Sequence, residues 1–174
     1  MHDKALAPFL TEAVGLDVSD SMVDEFNKDA QEAGLSDRLV AYRGNLVAET
    51  VSAEFSDPKF FDFDLVLIGS ALHHLADPGL ALKRLADRLK KGGVCLVIDF
   101  LPHGHDDHKN DENWGDAAHT TNVHGFSSHD MEKLFENAGL SANFDYKVLE
   151  KPLVFTQNGV TRSKPVFMAR AQRI

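Results

Sequence analysis

The stretch from Phe63 to Pro102 constrains this chain more than any other. It holds an apolar run, the tetrapeptide Leu72-His73-His74-Leu75, the pair Asp77-Pro78, a helical pattern, Lys90-Lys91-Gly92-Gly93 and a second apolar run. Leu65-Val66-Leu67-Ile68 is unbroken by polar residues, the pattern of a parallel strand covered on both faces, and it stops at the small pair Gly69-Ser70. Asp77 can cap the orphan N–H groups of a helix whose first position is taken by Pro78, where a missing donor costs nothing. Leu82, Leu85, Ala86 and Leu89 then form one stripe, Lys90 to Gly93 suit the helix end, and Val94 to Phe100 reads as the next strand. Strand, helix and strand in this order make a right-handed crossover. Ligands of such sheets lie outside the carboxyl ends of the strands, so Gly69 to His74 are expected on that rim.

The same alternation runs through the rest of the chain. Asp3 to Leu10 reads as the tail of a helix and Ala13 to Leu16 as a short buried strand ending at Asp17. Ser19 or Asp20 can cap a helix with Met22, Phe26, Ala30 and Ala33 inward; Gly34 ends it, and Leu39 to Arg43 is another strand, closed by Gly44-Asn45. A long polar loop, His103 to Gly125, precedes a helix capped by Ser128, with Met131, Leu134, Phe135 and Ala138 inward and Gly139 as its stop. Phe144 to Val154 and Val166 to Ala171 are extended, and Gln157-Asn158-Gly159 between them favours an antiparallel return. The expected fold is α/β: a Rossmann-like, doubly wound, mostly parallel sheet with an antiparallel C-terminal strand.

Composition narrows the function classes. At 174 residues with 43% hydrophobic and 26% charged residues, the chain suits a single domain with its own core. A formal charge of -9 leaves no basic stripe for phosphates or anionic lipid, so neither nucleic acid nor membrane is expected as a partner. Cys95 stands alone inside an apolar strand and reads as core, as in a reducing compartment. With no leader pattern and no apolar run of about twenty residues, cytoplasmic residence is the expectation.

Gly15-Leu16-Asp17-Val18-Ser19 followed by Met22, Phe63-Asp64-Leu65-Val66, Ala71-Leu72-His73-His74-Leu75 with Asp77-Pro78, Leu89-Lys90-Lys91-Gly92-Gly93, His124-Gly125-Phe126 and Ala138-Gly139-Leu140 follow one another along the chain. In this order the motifs resemble those of class I S-adenosylmethionine-dependent methyltransferases of the small-molecule type. The resemblance covers nearly the whole chain and implies S-adenosyl-L-methionine as cofactor and a small-molecule methyl acceptor as partner. Asp17 matches the acidic residue that accepts hydrogen bonds from both ribose hydroxyls, a task for a group with acceptors only. Val18 would flank the adenine, and Ser19 either joins it or is only a helix cap. Gly44, Asn45 and Leu46 match the turn near the adenine amino group, with Asn45 in place of the more usual acid; an ordinary turn would use the same residues. Gly69, Ser70 and Ala71 match the segment approached by the methionine end of the cofactor. His73 and His74 match a pair lining the cleft between cofactor and acceptor, where an imidazole could take the acceptor's proton.

One family element is absent. Members begin with a strand ending in an acidic residue and a Gly-x-Gly-x-Gly loop, whereas only thirteen residues precede Val14 here. The chain therefore reads as a truncated methyltransferase domain spanning 1–174, expected to bind the cofactor weakly or not at all. Two other readings compete. A remnant of the fold could serve as a non-catalytic binding domain. Alternatively, His103, His105, Asp107 and His108 fit H-x-H-x-D-H, the ligand pattern of zinc hydrolases. Against this second reading, His119, His124 and His129 do not fall at strand ends, and the His-rich loop with Trp114 reads more simply as a cover over the rim.

Overall fold

A computed structural model describes residues 7–102, 123–157 and 160–174. The chain divides into two compact units, one through Phe60 and one from Phe61 onward.

In the first unit, β1 (Ala13–Asp17) and β2 (Leu39–Arg43) pair in parallel, with Gly15 opposite Ala41 and Asp17 opposite Arg43. Between them runs α1 (Asp20–Glu32), with Val23 and Ala30 buried. Of the expected inward residues Ala30 is buried and Phe26 half-buried, whereas Met22 is 53% exposed and Ala33 is exposed; Val23 and Asn27 turn inward as well. The Asn27 amide donates to the Ala41 carbonyl (3.0 Å) and accepts from the Ala41 N–H (2.8 Å), satisfying both backbone groups. Ser19 occupies the N-cap position but makes no side-chain cap bond. Gly34, at φ 68°, ends the helix region as expected. Of the expected N-terminal helix, Ala7–Phe9 forms a single 3-10 turn, and residues 1–6 lie outside the described residues. Phe55, Phe60 and Tyr42 close this unit's core through edge-on ring contacts.

The second unit is built on β3 (Phe63–Gly69), β4 (Leu89–Phe100), β5 (Ala142–Val148) and β8 (Val166–Gln172), in the order β3-β4-β8-β5. β3 and β4 are parallel, and β8 runs antiparallel to both of its neighbours, as expected for the C-terminal strand. The crossover helix α2 (Pro78–Ala86) starts as its sequence says: Asp77 accepts from Leu80 N at 2.8 Å and Pro78 follows. Its end differs from the expected one. The helix stops at Ala86, and Leu89 to Gly93 belong to β4.

The physical cause of this early end is strand pairing. Arg88 O accepts from Phe63 N, and Leu89, wholly buried, faces Phe63. β3 then advances two residues, to Leu65, while β4 advances five, to Val94. Gly92 turns this bulge at φ 75°, and reciprocal backbone bonds with Arg173 pin it down.

α3 (Ser128–Asn137) also begins one residue earlier than its motif suggested, because Ser127 is the cap. Ser127 Oγ accepts from Asp130 N while the Asp130 carboxylate accepts from Ser127 N, a capping box. α2 and α3 pack on each other and cover β4 and β8. Cys95, Val97, Asp99, Phe167, Ala169 and Ala171 are wholly buried, whereas Leu96 and Ile98 are half-buried and Met168 and Arg170 exposed. The strands therefore alternate and do not bury both faces equally. The single extended segment expected from Phe144 to Val154 is two strands. β6 (Leu153–Gln157) pairs antiparallel with β7 (Val160–Lys164), so the chain reverses between Gln157 and Val160 and does not run from β5 directly to β8; Asn158 and Gly159 lie outside the described residues.

Candidate functional site

In the first unit the carboxyl end of β1 presents Asp17. Its Oδ1 accepts from Ser19 N at 2.8 Å, and its main-chain carbonyl accepts from Gly44 N at 2.8 Å. The half-buried carboxylate is thus held by one oxygen, and Oδ2 has no hydrogen bond within the described residues. Val18 beside it is 62% exposed, an apolar side chain with an open face. Gly44 and Asn45 have local duties. A Cβ on Gly44 would lie 2.6 Å from Phe55 Cε2, so the bare backbone there makes room for a core ring. Asn45 Oδ1 accepts from Val47 N at 2.9 Å, an Asx turn; Leu46 is half-buried beside it.

In the second unit the rim forms where β3 and β4 end. Ser70 sits at φ 52°, left-handed backbone that a non-glycine residue adopts at a cost, and its N–H donates to Ile98 O at 2.7 Å. Gly69, Ser70 and Ala71 are all half-buried, and the 3-10 turn Leu72–His74 follows. That turn separates two histidines that the sequence presents as a pair. His73 is 5% exposed, whereas His74 is half-buried with its ring on that of His73, centroids 4.0 Å apart.

His73 is held from several sides. Its Nδ1 lies 2.7 Å from Asp99 Oδ1, its N–H donates to Asp99 Oδ2 at 3.2 Å, and its ring meets Phe100 edge-on at 4.8 Å. Its carbonyl accepts from Val123 N at 3.1 Å, and Phe126 N donates to Phe100 O at 3.0 Å, so the segment 123–126 lies across the end of β4. Gly125 allows this approach: a Cβ there would be 2.6 Å from Phe100 O. Tyr146 completes the support by donating its hydroxyl to Phe126 O at 2.9 Å, and burial, with Asp130 second, pushes its pKa up. Asp99 was missed by the sequence reading. The available signal was an acid inside the apolar run Val94 to Phe100, which in a buried strand demands partners.

The competing metal motif His103, His105, Asp107 and His108 lies outside the described residues, as do His119 and Trp114. Among the described residues no group of three or more His, Cys, Asp or Glu is placed to hold a metal, and no helix is long and apolar enough to cross a membrane.

Residues 4–142 match the model of a methyltransferase domain family. The chain belongs to that family. This methyltransferase domain is 32% identical over 142 residues to an uncharacterized methyltransferase of Schizosaccharomyces pombe, a match covering 78% of this chain and 48% of that protein. It is also 32% identical over 95 residues to the uncharacterized methyltransferase YcgJ of Bacillus subtilis, covering 55% of this chain and 34% of that protein. The methyltransferase domain thus spans about half or less of these relatives' length. Among solved structures it is similar to YcgJ itself, at TM-score 0.67 and 16% identity, with 98% of this chain and 86% of that one covered. A SAM-dependent methyltransferase of Methanosarcina mazei is similar at TM-score 0.68 and 17% identity, covering 99% and 86%. The fold is therefore the class I methyltransferase fold, the resemblance the sequence motifs carried.

Proposed function

We propose that this methyltransferase domain transfers a methyl group from S-adenosyl-L-methionine to a small-molecule acceptor, with His74 as the group that receives the acceptor's proton. The observation that carries the reading is the half-buried His74 ring, held on a buried partner at the carboxyl end of β3 beside the small residues Gly69, Ser70 and Ala71. Bound S-adenosylmethionine supplies an electrophilic methyl on a sulfonium. Asp17, with Oδ2 available, suits the two ribose hydroxyls, and Val18 the adenine face; Ser19 supports Asp17 through its N–H. Asn45 retains its amide NH₂ for an acceptor atom of the base, beside Gly44 and Leu46. Gly69, Ser70 and Ala71 offer backbone with little side-chain bulk to the methionine end.

Displacement at a sulfonium needs alignment more than acid–base help. The acceptor atom bonds to the methyl carbon as the carbon–sulfur bond breaks, and the sulfur keeps the electron pair. The proton lost by an acceptor hydroxyl or amine passes to the His74 imidazole. His73, nearly inaccessible, positions that ring. The charge of -9 favours small acceptors over polyanions.

The test is an NMR titration of this chain with S-adenosylmethionine to millimolar concentration. Amide shifts are expected at Asp17 to Ser19 and at Gly69 to Ala71. Asp17→Asn should weaken binding about tenfold, the worth of roughly 1.4 kcal/mol of charge-assisted hydrogen bonding. Shifts confined to other segments would remove the cofactor assignment.

A further inference from the structure

Asp99 is wholly buried at the end of β4, a strand paired on both sides by β3 and β8. A carboxylate withdrawn from water must find donors, and this one has three. Oδ1 accepts from Phe100 N at 2.8 Å and meets His73 Nδ1 at 2.7 Å, and Oδ2 accepts from His73 N at 3.2 Å. Two of these are backbone N–H groups, which can only donate. Those two donors favour a carboxyl that only accepts, and against an acceptor-only carboxylate the 2.7 Å contact has its proton on Nδ1 of His73. The ring is thereby fixed in tautomer and in rotation.

His73 cannot use that ring on an acceptor, because it is 5% exposed. It is a plate instead: Phe100 abuts it at 4.8 Å, and the His74 ring lies on it at 4.0 Å with a 40° tilt. A buried polar pair is a poor way to hold a fold together, since an apolar pair of the same volume often does as well or better. Asp99 and His73, behind the half-buried His74 ring, have a use that an apolar pair would not supply, because the carboxyl oxygens bonded to His73 N and Nδ1 specify the rotation of the ring against which His74 lies.

We infer that Asp99 is a positioning residue for the proposed reaction: it locks the His73 ring as the Nδ1–H form, and that ring sets the placement of His74. The inference rests on the methyl-transfer reading for its purpose and on the Asp99–His73–His74 geometry for its substance.

The test uses the full chain labelled with ¹⁵N-histidine and long-range ¹H–¹⁵N correlation at neutral pH. His73 should carry its proton on Nδ1, and a neutral ring protonated on Nε2 would overturn the assignment with no variant needed. In Asp99→Asn the amide cannot accept from both His73 N and Nδ1, so the ring signals of His73 and His74 should shift and broaden together. Those of His129, in the first turn of α3, should stay in place. Movement of His73 alone, with His74 unchanged, would reduce Asp99 to a support of the fold. S-adenosylmethionine added to the same samples keeps the two proposals apart. Its failure to shift Gly69 to Ala71 in the wild type sinks the cofactor reading, while the histidine spectra still decide the role of Asp99.

Discussion

Gly44 at the end of β2 and Phe55 in the following 3-10 turn fit together only because Gly44 has no side chain: a Cβ there would lie 2.6 Å from the ring's Cε2. Phe55 is 2% exposed, so it has no alternative position in water. Gly44→Ala should therefore destabilise the chain by about 1–3 kcal/mol, the usual cost of overpacking. Urea denaturation measures it. A loss of cofactor affinity at unchanged stability would instead return Gly44 to the ligand-binding role its sequence position suggests.

Asn27 serves both backbone groups of Ala41 from the face of α1. Asn27→Ala leaves a donor and an acceptor without their partner, at about 1–3 kcal/mol for each group that water does not reach. Because Asn27 is half-buried, the lower end is expected. Hydrogen exchange at the Ala41 amide should accelerate; unchanged protection would show that the side chain is incidental.

The capping box of α3 makes an acid-side prediction. Hydrogen bonds from the Ser127 hydroxyl and N–H hold the Asp130 pKa below its ordinary value. The folded state thus favours the ionised form. Its contribution is complete above the unfolded-state pKa of about 3.9 and disappears as pH falls through the lower folded-state value. Asp130→Asn should flatten the wild type's stability loss in that window, read from thermal melts between about pH 5 and 2. Ser127→Ala should cost about 1 kcal/mol at neutral pH. Parallel pH profiles for Asp130→Asn and wild type would contradict the assignment.

Cys95 is wholly buried in β4, and burial pushes its thiol pKa up to about 12. The thiolate is the reactive form, so a disulfide reagent at neutral pH should leave the native chain unmodified and label it fully in urea. Rapid labelling of the folded chain would refute the burial and the core role together.

The alternating strands and helices, the Asp77-Pro78 start of α2, the glycine stop of α1 and the antiparallel C-terminal strand were all legible from the residues, because caps, turns and periodicity act over a few positions. The rim around Gly69 to His74 was legible for the same reason. Contacts distant in sequence were not. Leu89 extends the apolar period of a helix, yet it is claimed by Phe63 across the sheet, and pairing across a sheet leaves no mark in local spacing. The inward place of Asn27 on α1 was hidden because a polar residue there is held by a strand fourteen residues away, which no local periodicity records. His73 and His74 are equivalent in the sequence. Only the tertiary structure separates a buried plate from a rim imidazole, since that depends on Asp99, which lies twenty-six residues away along the chain and reaches His73 through the register of a parallel strand pair.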